Sequence, residues 1–214
     1  GESCMLDLGA NIECDSGNLV QFAVMGQIFA RLVLNLKRPT VGLLNVGSEE
    51  QKGHEELREA SAILRQIDLP MEFIGFVEGD DITAGTVDVI VTDGFSGNIA
   101  LKAAEGTSRM FTFFLKEAFG SSIYSKIGYA FSRTAINQVR ERMDPRKYNG
   151  AVFLGLNGIA VKSHGSTDSF GFANAIGVAA DMSKYGFLDK VKDELRILHA
   201  EGEASEKLRG TGDA

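Results

Sequence analysis

The chain has 214 residues, of which 44% are hydrophobic and 24% charged, and its formal net charge is −7. That is enough chain for one sizeable core without staples, and the ordinary composition excludes a disordered or fibrous protein. The acidic balance argues against a general nucleic-acid binder, so no nucleic-acid partner is expected. Cys4 and Cys14 form no C-x-x-C pair and no cluster with the three histidines, so a reducing, cytoplasmic setting with no metal and no cofactor is expected. The apolar stretch over 19–36 is interrupted by Gln21, Gln27, Arg31 and Asn35, three of them spaced by four on one helical stripe. It reads as a buried core helix rather than a membrane span. Gly1, Glu2 and Ser3 lack the basic start of a signal peptide, and the lack of an initiator Met is what a fragment or processed product would show.

In chain order, residues 4–9 read as a short strand, and 18–36 as a helix with Asp15 or Ser16 as candidate N-caps. The continuous apolar run over 40–46 predicts a strand buried on both faces. An amphipathic helix is expected over 49–67, with Leu57, Ala60, Leu64 and Ile67 on one side. Two further strands follow over 72–77 and 87–92. Strands alternating with helices predict a doubly wound, Rossmann-like α/β fold, a parallel sheet with helices on both faces. The pattern then changes to two long helices, over 98–119 and 123–143, which read as a protruding helical hairpin. Short strands over 151–164, a closing helix over 167–185, a last amphipathic helix over 188–208 and a frayed tail over 209–214 complete the reading.

Four segments share one grammar, an apolar strand followed by a turn of glycine and small polar residues. They are Asp7-Leu-Gly-Ala-Asn11, Asn45-Val-Gly-Ser-Glu-Glu-Gln-Lys-Gly53, Asp93-Gly-Phe-Ser-Gly-Asn98 and Asn157-Gly-Ile-Ala-Val-Lys-Ser-His-Gly-Ser166. In a parallel sheet the strand ends line one edge, where ligands bind, and N–H groups at helix starts suit a phosphate or carboxylate. Lys52, Lys102 and Lys162 could supply charge. Each turn alone is also simply how a short strand-to-helix connection is made; four together favour a site. Sharper motifs fail: there is no G-x-G-x-x-G, no P-loop ending, and Asn98 stands where a nucleophile elbow needs its second glycine. His54, His164 and His199 are too far apart for a local zinc motif. Lys162 and His164, two apart at a strand end, are expected on one face.

Between Arg109 and Lys147 eight basic residues face three acidic ones, a local balance of +5 that leaves −12 for the rest. Phe119, Ile123, Tyr124, Ile127 and Phe131, with Lys126 and Arg133 among them, supply more apolar surface than one buried stripe requires. A solvated face over the sheet, a dimer contact, and a meeting with anionic lipid or an acidic protein are the readings left open.

Leu8-Gly-Ala-Asn11, Leu44-Asn-Val-Gly-x-Glu-x-x-Lys-Gly53, Val89-Ile-Val-Thr-Asp-Gly-Phe-x-Gly-Asn-x-Ala-Leu-Lys102 and Gly155-Leu-Asn-Gly-x-x-Val-Lys-x-His-Gly-Ser166 resemble the bacterial phosphate acyltransferases of phospholipid synthesis, the PlsX family. The resemblance covers residues 4–188. It implies transfer of a long-chain acyl group from acyl carrier protein to inorganic phosphate, on a fold like phosphate acetyltransferases and isopropylmalate dehydrogenases. A homodimer that is soluble but peripherally membrane-associated is also implied. The family's opening α/β portion, with its Asp-Met-Gly-Gly-Asp motif, has no match, so the chain resembles the family's C-terminal part. On this reading residues 1–188, including the hairpin over 98–143, continue one α/β domain, and 189–214 are a final helix and tail. Lys52 and Lys162 are expected to bind phosphate or the developing oxyanion, Asn98 to orient the carbonyl or phosphate, and His164 to protonate the departing thiolate. Asn11, Asn45, Gly47, Asp93, Gly94, Gly97, Gly165 and Ser166 are expected around the substrates. A short-chain enzyme using acyl-CoA and a non-catalytic, membrane-associated dimeric scaffold are the competing readings.

Overall fold

A computed structural model describes residues 3–142 and 144–210. Its first sheet is built from β1 (Cys4–Leu6), β2 (Thr40–Leu44), β3 (Glu72–Val77) and β4 (Val89–Val91), all parallel, in the order β1-β4-β2-β3. Val89, Ile90 and Val91 of β4 are wholly buried, as a central strand covered on both faces requires. The sheet is flanked by helices, so the doubly wound α/β class expected from the strand–helix alternation holds. Against one face lie α1 (Ser16–Leu32) and α2 (Glu55–Leu64). The opposite face carries a smaller cluster of Val77, Val87 and Ile90, joined by Ile82 of the short α3 (Asp81–Ala84).

Several boundaries move for physical reasons. Helix α1 starts at Ser16 because the Asp15 carboxylate accepts the Asn18 N–H at 2.7 Å while the Asn18 side chain accepts the Asp15 N–H at 3.1 Å. It ends at Leu32 rather than residue 36, since Asn35 adopts a left-handed backbone (φ 56°) and the Leu36 N–H returns to the Ala30 carbonyl. Asn35 therefore leaves the expected polar stripe. Helix α2 starts at Glu55, not residue 49, because Gly53 (φ 86°) breaks the backbone run after a loop over 45–53. In β3 a bulge opposite Val41 and Gly42 leaves Ile74 outside, which puts Phe73 and Phe76, three residues apart, on the same core face.

Helix α4 (Gly94–Gly120) begins four residues before the predicted start, with Asp93 as its N-cap. The segment read as a glycine turn is thus its first turn. With α5 (Ile123–Arg142) it forms the hairpin, and Gly94 and Gly97 are the only buried residues of α4, so the pair projects from the body instead of lying over the sheet. Met143, placed in this hairpin by the sequence, lies outside the described residues.

The fourth glycine segment also departs from expectation. β5 (Ala151–Phe153) and β6 (Ala160–Lys162) form a separate two-stranded antiparallel ladder, off the edge of the main sheet. Six residues separate them, with Gly155 at φ 81°, too short a connection for a parallel crossover. Finally α6 (Ser169–Lys184), capped by Asp168, and α7 (Phe187–Gly210) close over α1 with Met182, Phe187 and Val191. The last four residues of the expected tail lie outside the described residues. No helix among those described is long and apolar enough to cross a membrane.

Because α1 is covered by the sheet on one side and by α6 and α7 on the other, its polar residues need internal partners. Gln27 is fully buried; its amide donates to Glu194 of α7, and Arg31 pairs with the same carboxylate at 2.8 Å. Glu194→Ala leaves the Gln27 amide without an acceptor and is expected to cost about 1–3 kcal/mol. Urea denaturation should show a lowered midpoint, with Lys190→Ala on the same helix as a near-neutral control.

Candidate functional site

The strand order places β4 beside both β1 and β2, while the chain leaves β2 toward β3 and leaves β4 toward α4. The two loops diverge, and the crevice between diverging loops at the strand ends is where open α/β sheets hold ligands. An open cleft of about 830 Å³ lies there. Ile12, Cys14, Asp15 and Asn18 form one wall, His54, Glu56 and Leu57 a second, and Asp93, Phe95 and Ser96 a third. Three helix starts converge on it, those of α1, α2 and α4.

Asp7 organises the first wall. One of its carboxylate oxygens accepts the N–H groups of Gly9 (2.9 Å) and Ala10 (3.0 Å), and the other accepts the backbone (2.7 Å) and side-chain (2.8 Å) N–H of Asn11. Burial alone would push this carboxyl up, but the bonds from Ala10, Asn11 and Gly9 more than offset it, so Asp7 sits below the usual carboxylate range. Asn11, expected at the substrate, thus has its side-chain amide committed to Asp7, while its carbonyl accepts the Gly94 N–H at 2.7 Å. Glycine is needed at both contact points of α4. A Cβ on Gly94 would lie 2.5 Å from the Asn11 carbonyl oxygen, and one on Gly97 would lie 1.9 Å from that of Asp7. The exposed Asn98 is brought against Gly9, whose hypothetical Cβ would stand 3.6 Å from the Asn98 side chain. Asp93, expected at the substrate, accepts the Ser96 N–H at 2.8 Å as a helix cap.

The second loop is held by Asn45, which donates to the Lys52 carbonyl at 3.0 Å and lies against Gly53. Lys52 folds over Gly47, where any side chain would collide with it, and pairs with Glu49 at 2.7 Å. That hydrogen bond holds the Lys52 ammonium above its ordinary range. Glu49 stands in the motif quoted above but not among the expected site residues; here it is the ion-pair partner of Lys52.

Lys162 and His164 stand in a different neighbourhood. β6 ends at Lys162, so the strand alternation expected to align the two does not reach His164. The His164 N–H instead donates to the buried Asn149 side chain at 2.9 Å. The Asn149 amide in turn donates to Ser163 Oγ and to the Gly171 carbonyl, both at 2.8 Å, tying the ladder to α6. His164 Nδ1 lies 2.9 Å from Ser166 Oγ. The Lys162 side chain has no hydrogen bond or ion pair among the described residues, and Gly165 faces open space. Lys102 pairs with Glu105 on α4; this hydrogen bond chiefly keeps Glu105 low, with the charges of Lys102 and Arg109 adding to it. Among the described residues no hydrogen bond or ion pair joins Lys52, Asn98, Lys162 and His164 to one another. No group of three His, Cys, Asp or Glu placed to hold a metal ion occurs among them either.

On the hairpin, Phe119 is half-buried and meets Tyr129 edge-on at 5.3 Å. Ile123, Tyr124, Ile127 and Phe131 are exposed, Phe131 at 87% and Tyr124 at 83%. Lys126 and Arg133 are exposed beside them.

Fold and cleft define a parallel α/β protein with an open cleft at the carboxyl ends of its strands. Comparison with known proteins narrows this. The family model described as fatty acid synthesis protein matches residues 1–190, and the chain belongs to that family. It is 59% identical over 212 residues to a phosphate acyltransferase of Paramagnetospirillum magneticum, covering 99% of this chain and 60% of that protein. Another phosphate acyltransferase, from Rhodospirillum centenum, is 63% identical over 205 residues, 96% of this chain and 58% of that protein. A third, from Sinorhizobium medicae, is 54% identical over 209 residues, 97% of this chain and 60% of its own length. The chain therefore spans about three fifths of the length of these relatives.

Asp7 gives the site a pH signature. Its carboxyl titrates below its reference value of 3.8 in the fold, so its stabilisation is complete above that value and is lost as pH falls through the lowered one. Asp7→Asn should remove this part of the acid dependence and cost about 1–3 kcal/mol at neutral pH, measured by urea unfolding across a pH series.

Proposed function

We propose that this chain carries the greater part of a phosphate acyltransferase that moves a long-chain acyl group from acyl carrier protein to inorganic phosphate, forming acyl phosphate for phospholipid synthesis. The observation that carries the proposal is the identity of 59–63% with named phosphate acyltransferases over nearly the whole chain. The chemistry is a phosphate oxygen attacking the thioester carbonyl. A C–O bond forms, the C–S bond breaks, and the proton first held by hydrogen phosphate ends on the carrier thiol.

Phosphate has the same sign as Asp15, Glu56 and Asp93 in the cleft wall, so its seat falls to the basic side chains. Lys52 and Lys162 bind phosphate or the developing oxyanion. The exposed pair of Lys52 with Glu49 is one that a doubly charged phosphate can displace. Asn98 orients the carbonyl or the phosphate from the start of α4, with Asp93, Gly94 and Gly97 holding that start in place. His164 delivers a proton to the departing sulfur and recovers it from the phosphate hydroxyl. The exchange calls for no metal or organic cofactor.

The hairpin suits a peripheral contact with anionic membrane through Ile123, Tyr124, Ile127 and Phe131, flanked by Lys126 and Arg133, and its stem suits pairing with a second copy. Reversing charge at Lys126 and Arg133 should weaken binding to anionic vesicles in a flotation assay. Unchanged flotation would leave the hairpin to subunit pairing alone.

The reaction is tested by free thiol release from acyl-acyl carrier protein, with and without inorganic phosphate. The segment of a full-length relative that this chain does not cover is supplied in a parallel assay. Phosphate-dependent release in either assay supports the acyltransferase, and faster release from acyl-CoA would shift the donor. Lys52→Ala and Asn98→Ala should each lower turnover by about 100- to 1,000-fold. Near-full activity in either variant removes that residue from the mechanism.

A further inference from the structure

The cleft at the strand ends carries a charge pattern that phosphate does not match. Among the described residues Glu13, Asp15, Glu56 and Asp93 line it, and no Lys or Arg does. Helix starts ordinarily suit anions, but the three here already hold their own. Asp15 accepts the Asn18 N–H at 2.7 Å at the start of α1, and Asp93 accepts the Ser96 N–H at 2.8 Å at the start of α4. His54, the one lining group able to become a cation, stands directly before Glu55 and Glu56 in the first turn of α2. The Cys14 thiol registers the result. Burial chiefly, with the charges of Asp7, Asp93 and Asp15 added, holds it above its ordinary range. A dianion entering here would lose water and gain no fixed counter-charge.

What the cleft offers instead is apolar surface edged by hydrogen-bonding groups. Ile12 on one wall and Phe95 on another are 56% and 57% exposed, unusual for side chains of that size. The Asn18 side chain spends its oxygen on the Asp15 N–H, which leaves its Nδ2 donor without a protein partner among the described residues. The Ser96 hydroxyl and the Glu56 carboxylate have none either. At about 830 Å³ the space is that of a site for a long ligand.

We propose that this cleft seats the pantetheine arm of the acyl donor, with the first methylenes of its acyl chain, and excludes phosphate. The inference rests on the acyl-transfer reading given above. Between its phosphodiester and its thioester the arm is uncharged, with two amides set among short apolar segments. Its N–H groups meet acceptors in the Glu56 carboxylate and the Ser96 hydroxyl, and its carbonyls a donor in Asn18 Nδ2. Its methylenes cover Ile12 and Phe95. The thioester end then lies toward α4, where Asn98 stands two residues beyond Ser96. Neither Lys52 nor Lys162 lines the cleft, so donor and phosphate occupy separate seats.

The test is a footprint on Cys14, which lines the cleft and is half-buried. Its alkylation by N-ethylmaleimide is followed by mass spectrometry, with Cys14→Ser identifying its share of the signal. The chain is assayed alone and with the uncovered segment of a relative supplied. S-octyl-pantetheine is a thioether that cannot be transferred. At about ten times its half-protecting concentration it should slow the alkylation about tenfold, while inorganic phosphate leaves the rate unchanged. Phe95→Asp and Ile12→Asp, both at exposed positions, should each raise the half-protecting concentration about tenfold. Carrier protein and coenzyme A bearing the same octyl thioether share the arm; protection by either supports the seat, and the stronger names the source.

Protection by phosphate, equal protection by octyl glucoside, or none in either preparation would overturn the inference. Unchanged protection in both variants would overturn it too. Labelling needs no turnover, so a protected chain that gives no phosphate-dependent thiol release defeats the acyl-transfer reading and leaves the seat standing. A chain that releases thiol without protection of Cys14 does the reverse.

Discussion

The site depends on one buried carboxylate and two missing side chains. Asp7 gathers the N–H groups of the turn that follows β1, and Gly94 and Gly97 let α4 come down on the carbonyls of that same turn. Neither half works alone. Without Asp7 the turn has no internal acceptor for its N–H groups. With any larger residue at position 97, α4 would have to lift away from β1 and carry Asn98 with it. The cleft is the space left between this knot and the loop that Asn45 holds after β2.

The same economy governs the second neighbourhood. Asn149 spends both polar atoms of its side chain on two segments, Ser163 and His164 after β6 and Gly171 of α6, which lets a two-stranded ladder, too small to be stable alone, act as a fixed ledge beside α6. Arg146 reinforces the ledge from the hairpin side. It binds Asp144 and the α6 cap Asp168 and lies over Phe170 at 5.6 Å. The Asp144 carboxyl is held at about 2 by the hydrogen bonds from Arg146, so the clasp stays charged through the whole physiological range.

Much of this was legible in the residues. The apolar runs of β2 and β4 announced buried parallel strands, and Asp15 announced the start of α1. What failed was the reading of glycine as turn. At 94 and 97 glycine is helical and serves close approach, which only the position of a neighbouring carbonyl reveals. The antiparallel ladder was hidden because a short apolar run does not state its direction, whereas the length of the connection does. Asp7 and Asn149 were passed over because a single Asp or Asn before glycine looks like turn chemistry. Their distinction is burial, and burial is a property of the fold.

Helix α4 has one more consequence. At 27 residues it is about 40 Å long, and its first turn is bolted to the strand ends while its last lies at the far end of the aromatic hairpin. It is a lever with its fulcrum in the cleft. A tilt of about 5° at the root carries the far end about 3–4 Å, and the same leverage runs backward. A surface that seizes the hairpin tip therefore holds the long arm, and small sub-ångström corrections at Asn98 are what the short arm returns.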